Sequence, residues 1–151
     1  SPTYIFIYCI YIMKKHILHS WKQHLSLSDY ETLLHFVENA KNDLPNEKVL
    51  ILSGVGKNGK TTLLNEILFY IGIQNVHECN DARYMDFNNF TKNNFIIHGG
   101  IEHFKSKKRY TTQLLNVIEN KKSVFSDTNK LDLVESNIFD KAIIITMKHI
   151  F

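Results

Sequence analysis

Gly54-Val55-Gly56-Lys57-Asn58-Gly59-Lys60-Thr61 is the stretch from which the rest of the chain is read. It fits the pattern glycine, four free positions, glycine, lysine, then serine or threonine. With glycine near 7% of average usage, such a match arises by chance in a chain this long on the order of one time in two hundred. Ahead of it stands Lys48-Val49-Leu50-Ile51-Leu52-Ser53, a short apolar run of the kind buried on both faces of a parallel sheet. Behind it Leu63, Leu64, Ile67, Leu68 and Ile71 recur at helical spacing, with no breaker before Gly72. Strand, glycine loop and helix together form the context in which this pattern grips phosphate.

Each residue type in the loop has a physical task. The glycines let backbone N–H groups turn inward with no Cβ in the way, making an anion nest. The helix start adds roughly half a positive charge aimed at the same point. Lys60 is placed to reach the β and γ phosphate oxygens, and the Thr61 hydroxyl to ligate Mg²⁺. The expected cofactors are therefore a nucleoside triphosphate, ATP or GTP, and Mg²⁺. Gly54, Val55, Gly56, Lys57, Asn58, Gly59, Lys60, Thr61 and Thr62 are the expected binding residues, with Lys60 also acting in catalysis.

Working outward, Ser28 and Glu31 have the spacing of a helix-capping box, and Leu33, Phe36, Val37 and Ala40 follow at helical intervals. A polar turn, Asn42 to Asn46, then leads into the apolar run. Downstream, strands are predicted at Asn75 to Cys79, Phe95 to His98 and Ala142 to Thr146. A helix is predicted over Tyr110 to Glu119, and Ser123 to Leu133 reads as a hairpin. Strands alternating with helices predict an α/β fold: a P-loop NTPase three-layer sandwich with a mainly parallel sheet, preceded by an N-terminal helix. Residues 1–12 form an apolar segment, 13–46 an N-terminal helical segment, and 47–151 the core, which is expected to continue beyond Phe151.

The length of 151 residues and the 44% hydrophobic content suit one buried core, and a second independent domain is not expected. The net charge of +3 is compatible with a polyanionic partner without demanding one. Cys9 and Cys79 lie far apart and outside any CxxC spacing, so a zinc site or disulfide framework is not supported and a reducing, intracellular setting is expected. The apolar stretch Tyr4 to Ile12 is too short to span a bilayer as a helix, which takes about 20 residues, so no membrane partner is expected. A chain starting at Met13 is expected to keep its binding activity. His16, His19 and His24 have no carboxylate or cysteine partners at metal spacing and read as surface residues.

Hydrolysis needs an acid at the end of a neighbouring buried strand. The run Asn94 to His98 is the best such strand, but it ends in His98-Gly99-Gly100-Ile101 where two acids are expected. Glu102 is the nearest carboxylate, a candidate both for catalysis and for Mg²⁺. It serves if the glycine pair folds it back toward the phosphates; otherwise it is a solvated loop residue. Asp81 and Asp86 are weaker candidates, and His98 is a poor Mg²⁺ contact because that ion prefers oxygen. Lys105-Ser106-Lys107-Lys108-Arg109-Tyr110 is the densest basic stretch: either a solvated loop or a set of contacts to a nucleic-acid backbone, with Tyr110 to stack.

In these features the chain resembles the ATPase domain of viral superfamily 3 helicases, a branch of the AAA+ class. The resemblance rests on the helix Tyr30 to Ala40 leading into Val49 to Gly54, and above all on Asn58-Gly59-Lys60-Thr61-Thr62-Leu63-Leu64-Asn65. It extends to Leu114 through Lys122 followed by Val124 to Lys130, similar to that family's helix and DNA-contacting hairpin, and to Ile143 to Thr146, where the family has its sensor strand. It implies a homo-hexamer that pulls single-stranded DNA through a central pore in genome replication, in the cytoplasm or nucleus of an infected host. Lys121, Lys122 and Lys130 would be the DNA-binding residues. The paired acids of the family's second motif are absent here, so a nucleotide-binding remnant that cannot turn over stays open. A GTPase stays open too, because Asn129-Lys130-Leu131-Asp132 spells the guanine-reading NKxD, a pattern met by chance roughly one time in ten in such a chain. A small kinase with Asp81-Ala82-Arg83-Tyr84 at its substrate is the third alternative.

Overall fold

The computed structural model describes residues 18–56, 58–85 and 91–148. The apolar stretch Tyr4 to Ile12, Met13, His16, Lys57 and Asp86 lie outside the described residues. A 3-10 turn, His19–His24, leads into helix α1 (Leu27–Lys41), strand β1 (Val49–Ser53) and helix α2 (Lys60–Ile71). Strand β2 (Val76–Cys79) and strand β3 (Asn94–Ile97) follow, then the 3-10 turn Ile101–Ser106 and helix α3 (Lys108–Glu119). The chain closes with strand β4 (Ser123–Thr128), a one-turn helix α4 (Ser136–Phe139) and strand β5 (Ala142–Thr146).

All strand pairs are parallel, in the order β2-β3-β4-β1-β5. The register Leu52↔Asp127 and Ser53↔Thr128 sets the ends of β1 and β4 side by side. Alternate residues along each strand face opposite layers. Leu50, Leu52, Ile96 and Phe125 meet α1 and α2, whereas Val49, Ile51, Phe95 and Val124 meet α3 and the turns around it. The predicted three-layer sandwich is therefore what forms.

Local detail departs from the sequence reading in two places. Helix α1 is capped by Ser26, whose Oγ accepts from the Asp29 N–H at 3.1 Å, so it starts ahead of the Ser28 box. Its Tyr30, Leu33, Phe36, Val37 and Ala40 are buried in the core shared with α2. Each such burial is worth about 1.5–3 kcal/mol.

The larger correction concerns Ser123 to Leu133, which forms no hairpin. Ser123–Thr128 is one strand, buried at every position, between β3 and β1, and Leu131–Leu133 is a 3-10 turn. Its polar residues mimic a half-exposed strand in sequence, but their groups are satisfied inside. The Ser126 hydroxyl donates to the Ile97 carbonyl at 2.7 Å, and Ser123 Oγ accepts from the Asn46 amide at 2.8 Å. Lys121 and Lys122 thus lie at one end of β4 and Lys130 at the other, on no shared hairpin.

Candidate functional site

The loop between β1 and α2 turns on two left-handed glycines, Gly56 at φ 77° and Gly59 at φ 84°, a region closed to most L-residues. A Cβ at Gly54 would fall 1.8 Å from the Asn58 amide nitrogen, so that glycine makes the space in which the buried Asn58 side chain sits. Asn58 Oδ1 in turn accepts from Lys60 Nζ at 2.9 Å, and Lys60 also donates to the Gly54 carbonyl. Lys60 is only 5% exposed. Burial pulls its pKa below the ordinary lysine value, while Asp127 and Glu102 oppose that shift. Gly56, Asn58, Gly59, Lys60, Thr61, Thr62, Asp127 and Asn129 line a cavity of about 330 Å³ beside the helix start.

The sequence reading did not single out Asp127 and Thr128, and took Asn129 only as the first position of NKxD. Asp127 and Thr128 end β4, the strand next to β1, and Asn129 follows them, whereas an acid was sought at the end of β3. Asp127 is 9% exposed. Burial pushes its pKa up; the Gly100 N–H, His98 and Lys60 resist, and Glu102 adds to the rise. The Gly100 N–H donates to Asp127 Oδ1 at 3.2 Å. A legible signal existed: Ser-Asp-Thr-Asn closing an apolar run just before a turn.

Glu102 does fold back. Gly100, at φ 93°, lets the chain reverse, and a Cβ there would fall 2.4 Å from the Glu102 carboxylate. That carboxylate accepts from the Thr128 hydroxyl at 2.6 Å, and its field reaches Lys60. The Gly54 N–H donates to the Thr128 carbonyl at 3.2 Å, tying the loop, β4 and Glu102 into one unit. His98 is turned the other way: Nε2 sits 2.9 Å from Glu78 Oε2, and Nδ1 is buried without a partner. Asp81 is held by Arg83 at 2.7 Å, so neither acts as a loop acid.

This donor set fits a phosphate chain with a hard cation. Nothing lies within 4 Å of a Cβ built at Gly56, which leaves the loop open on that side, and α2 directs its dipole into the cavity. Among the described residues no cluster of three or more His, Cys, Asp or Glu could cage a metal by itself. Mg²⁺ sites need no such cage, since one or two protein oxygens and the substrate phosphates complete the shell. Thr61 and Asp127 line the cavity and have such oxygens, and Glu102 is tied to it through Thr128, the neighbour of Asp127.

Beside this cavity lies a second of about 560 Å³, lined by Gly54, Val55, Asn129, Lys130, Leu131, Asp132 and Phe139 among others. All four NKxD positions therefore border the loop. Asn129 belongs to both cavities, which puts the first of the four at the phosphate end.

No protein-family model matches this sequence, and no curated protein matches it. Solved structures do match in fold. The Holliday junction branch migration motor RuvB of Thermotoga maritima has a TM-score of 0.59 at 14% identity, over 82% of this chain and 45% of that one. The replication initiator DnaA, bound to AMPPCP and single-stranded DNA, gives 0.53 at 14% identity, over 77% and 45%. The FIGL-1 AAA domain in complex with ADP gives 0.53 at 13%, over 83% and 55%. The chain thus spans about half the length of the chains it matches. At such identities the likeness establishes the fold alone, an α/β fold with a five-stranded parallel sheet. Among the described residues, no helix is long and apolar enough to cross a membrane.

Proposed function

We propose that the chain binds ATP with Mg²⁺ on Gly54 to Thr62 and hydrolyses it, with single-stranded DNA as partner, as a helicase-type ATPase domain of the superfamily 3 kind assembled as a homo-hexamer. The observation that carries this reading is the buried P-loop lysine sharing its cavity with Asp127, while Glu102 is hydrogen-bonded to Thr128, the next residue of the same strand. A lysine and glycine loop alone account for binding; the acids beside them supply what turnover requires.

Lys60 and the α2 N-terminus neutralise the phosphate oxygens, a charge that grows at the γ-phosphoryl as it transfers. Bound Mg²⁺, held by Thr61 and Glu102, would add Lewis-acid stabilisation of the same oxygens. Glu102, oriented by Thr128, also has the chemistry to accept a proton from attacking water, and Asp127 keeps Lys60 cationic in its buried seat. DNA-stimulated phosphate release is the direct test: turnover that rises with oligo-dT supports the proposal, and ATP bound without phosphate release rejects its catalytic half.

A second reading has one observation in its favour, the NKxD residues lining the neighbouring cavity. As a guanine reader, Asp132 would make GTP displace ATP at least tenfold more effectively than the reverse, given the cost of unpaired polar groups in a base pocket. Competition of the two nucleotides for one fluorescent analogue separates the readings. The structure gives the small-kinase alternative no comparable support, since Asp81 is already paired with Arg83.

A further inference from the structure

The basic run that the triphosphate site leaves unused continues directly from it: Lys105 to Arg109 begins three residues after Glu102. Lys105, Lys107, Lys108 and Arg109 are all exposed, and no carboxylate of the described residues pairs with any of them. The 3-10 turn Ile101–Ser106, which carries Glu102 and Lys105, packs against a second turn, Ala82–Tyr84. There the Tyr84 ring is 75% exposed, with the Arg83 guanidinium 5.7 Å from its centre. Lys107 lies over the Tyr110 ring, and Lys105 and Lys108 line a cavity with Asp132 and Glu135, yet none of the four is held in an ion pair, so a single strand finds cations for its phosphates and, on the adjoining turn, a ring face for a base.

We propose that this strip, Tyr84 with Lys105, Lys107, Lys108 and Arg109, is the surface on which single-stranded nucleic acid lies. The inference rests on the nucleic-acid partner proposed above but relocates the contact from Lys121, Lys122 and Lys130. Those three lysines sit at opposite ends of a buried strand, and Lys122 Nζ is already donated to the Lys92 carbonyl at 2.9 Å. The new strip also places the strand on the turn that carries Glu102, so that binding there reaches the acid through the backbone.

The test is fluorescence anisotropy of labelled dT20 and rU20 on the full chain without nucleotide, over a salt series. In a variant with Lys105, Lys107, Lys108 and Arg109 all changed to Gln, the slope of log affinity against log salt should fall by about three, from roughly 0.7 per lost contact on a single strand. Tyr84→Ala should weaken binding about tenfold with an unchanged slope, the signature of lost stacking. Lys121→Gln/Lys122→Gln/Lys130→Gln should behave as wild type. The proposal is overturned if the four-residue variant binds as wild type does, or if the Lys121, Lys122 and Lys130 variant loses as much. Polyglutamate competing as well as dT20 also overturns it, because the strip is then a general anion surface. Absence of oligonucleotide binding by the wild type overturns both this strip and the DNA partner, yet leaves the triphosphate site to its own assay.

Discussion

The two sides of the site were built by different rules. The Gly54 to Thr62 side is continuous in sequence, with its glycines, lysine and threonine within nine residues. The acid side is assembled from two segments, the turn after β3 and the end of β4, joined by sheet register and by the Thr128–Glu102 and Gly100–Asp127 hydrogen bonds. On the function proposed here, binding rests on a local stretch of chain, whereas turnover depends on the fold that brings the acids to it. The two are separable by mutation, and each prediction below aims at one side while watching the other.

The largest effect is expected at Lys60. Lys60→Ala removes the buried cation and should weaken ATP binding at least a hundredfold in a fluorescent-nucleotide titration, taking turnover with it. Retained affinity would break the comparison at its firmer end.

Next is Glu102→Gln, which should lower kcat by about a hundredfold or more while leaving ATP affinity within a few-fold, the pattern for a group acting in the chemical step. Gly100→Ala should imitate it without touching a charge. The added Cβ meets the Glu102 carboxylate and the φ of 93° becomes strained, so turnover falls while binding persists. Gly54→Ala is its counterpart on the loop: displacement of Asn58 should cost binding about tenfold.

Asp127→Asn sharpens the comparison through pH. The folded-state pKa of Asp127 is raised by burial, so the folded chain binds more protons than the unfolded one between the unfolded value of 3.8 and the folded value. Stability from this group is therefore fully present below that window and lost as pH rises through it. The Asn variant escapes the loss, so its thermal midpoint should exceed wild type at neutral pH, with the gap closing toward pH 4, even as turnover drops. A midpoint below wild type at neutral pH contradicts the assignment of burial as the dominant influence. Thr128→Val, which removes one orienting hydrogen bond and spares both acids, should show the smallest change, a few-fold in kcat.

The same division explains what could be read from the sequence. The loop and the strand and helix around it were legible because motif, periodicity and context lie in one continuous stretch, Lys48 to Ile71. The remaining strands were located to within a residue, since β1, β3 and β5 are apolar runs. Ser123–Thr128 was misread because Ser126, Asp127 and Thr128 imitate a half-exposed hairpin arm, and the groups that satisfy them, Ile97 and Glu102, are far away in sequence. The role of Glu102 stayed open for a related reason: whether a glycine pair reverses a chain is set by what the reversed segment can bond to. Lys121, Lys122 and Lys130 were grouped by a hairpin that does not form.

The central claim is that Glu102 and the end of β4 make the loop a site of turnover as well as of binding. Single-turnover phosphate release from saturating Mg²⁺-ATP, compared between wild type and Glu102→Gln with ATP occupancy measured in the same samples, tests it most directly. The account predicts release in the wild type and none above background in the variant, at equal occupancy. Equal release from both, or full occupancy with no release from either, contradicts it.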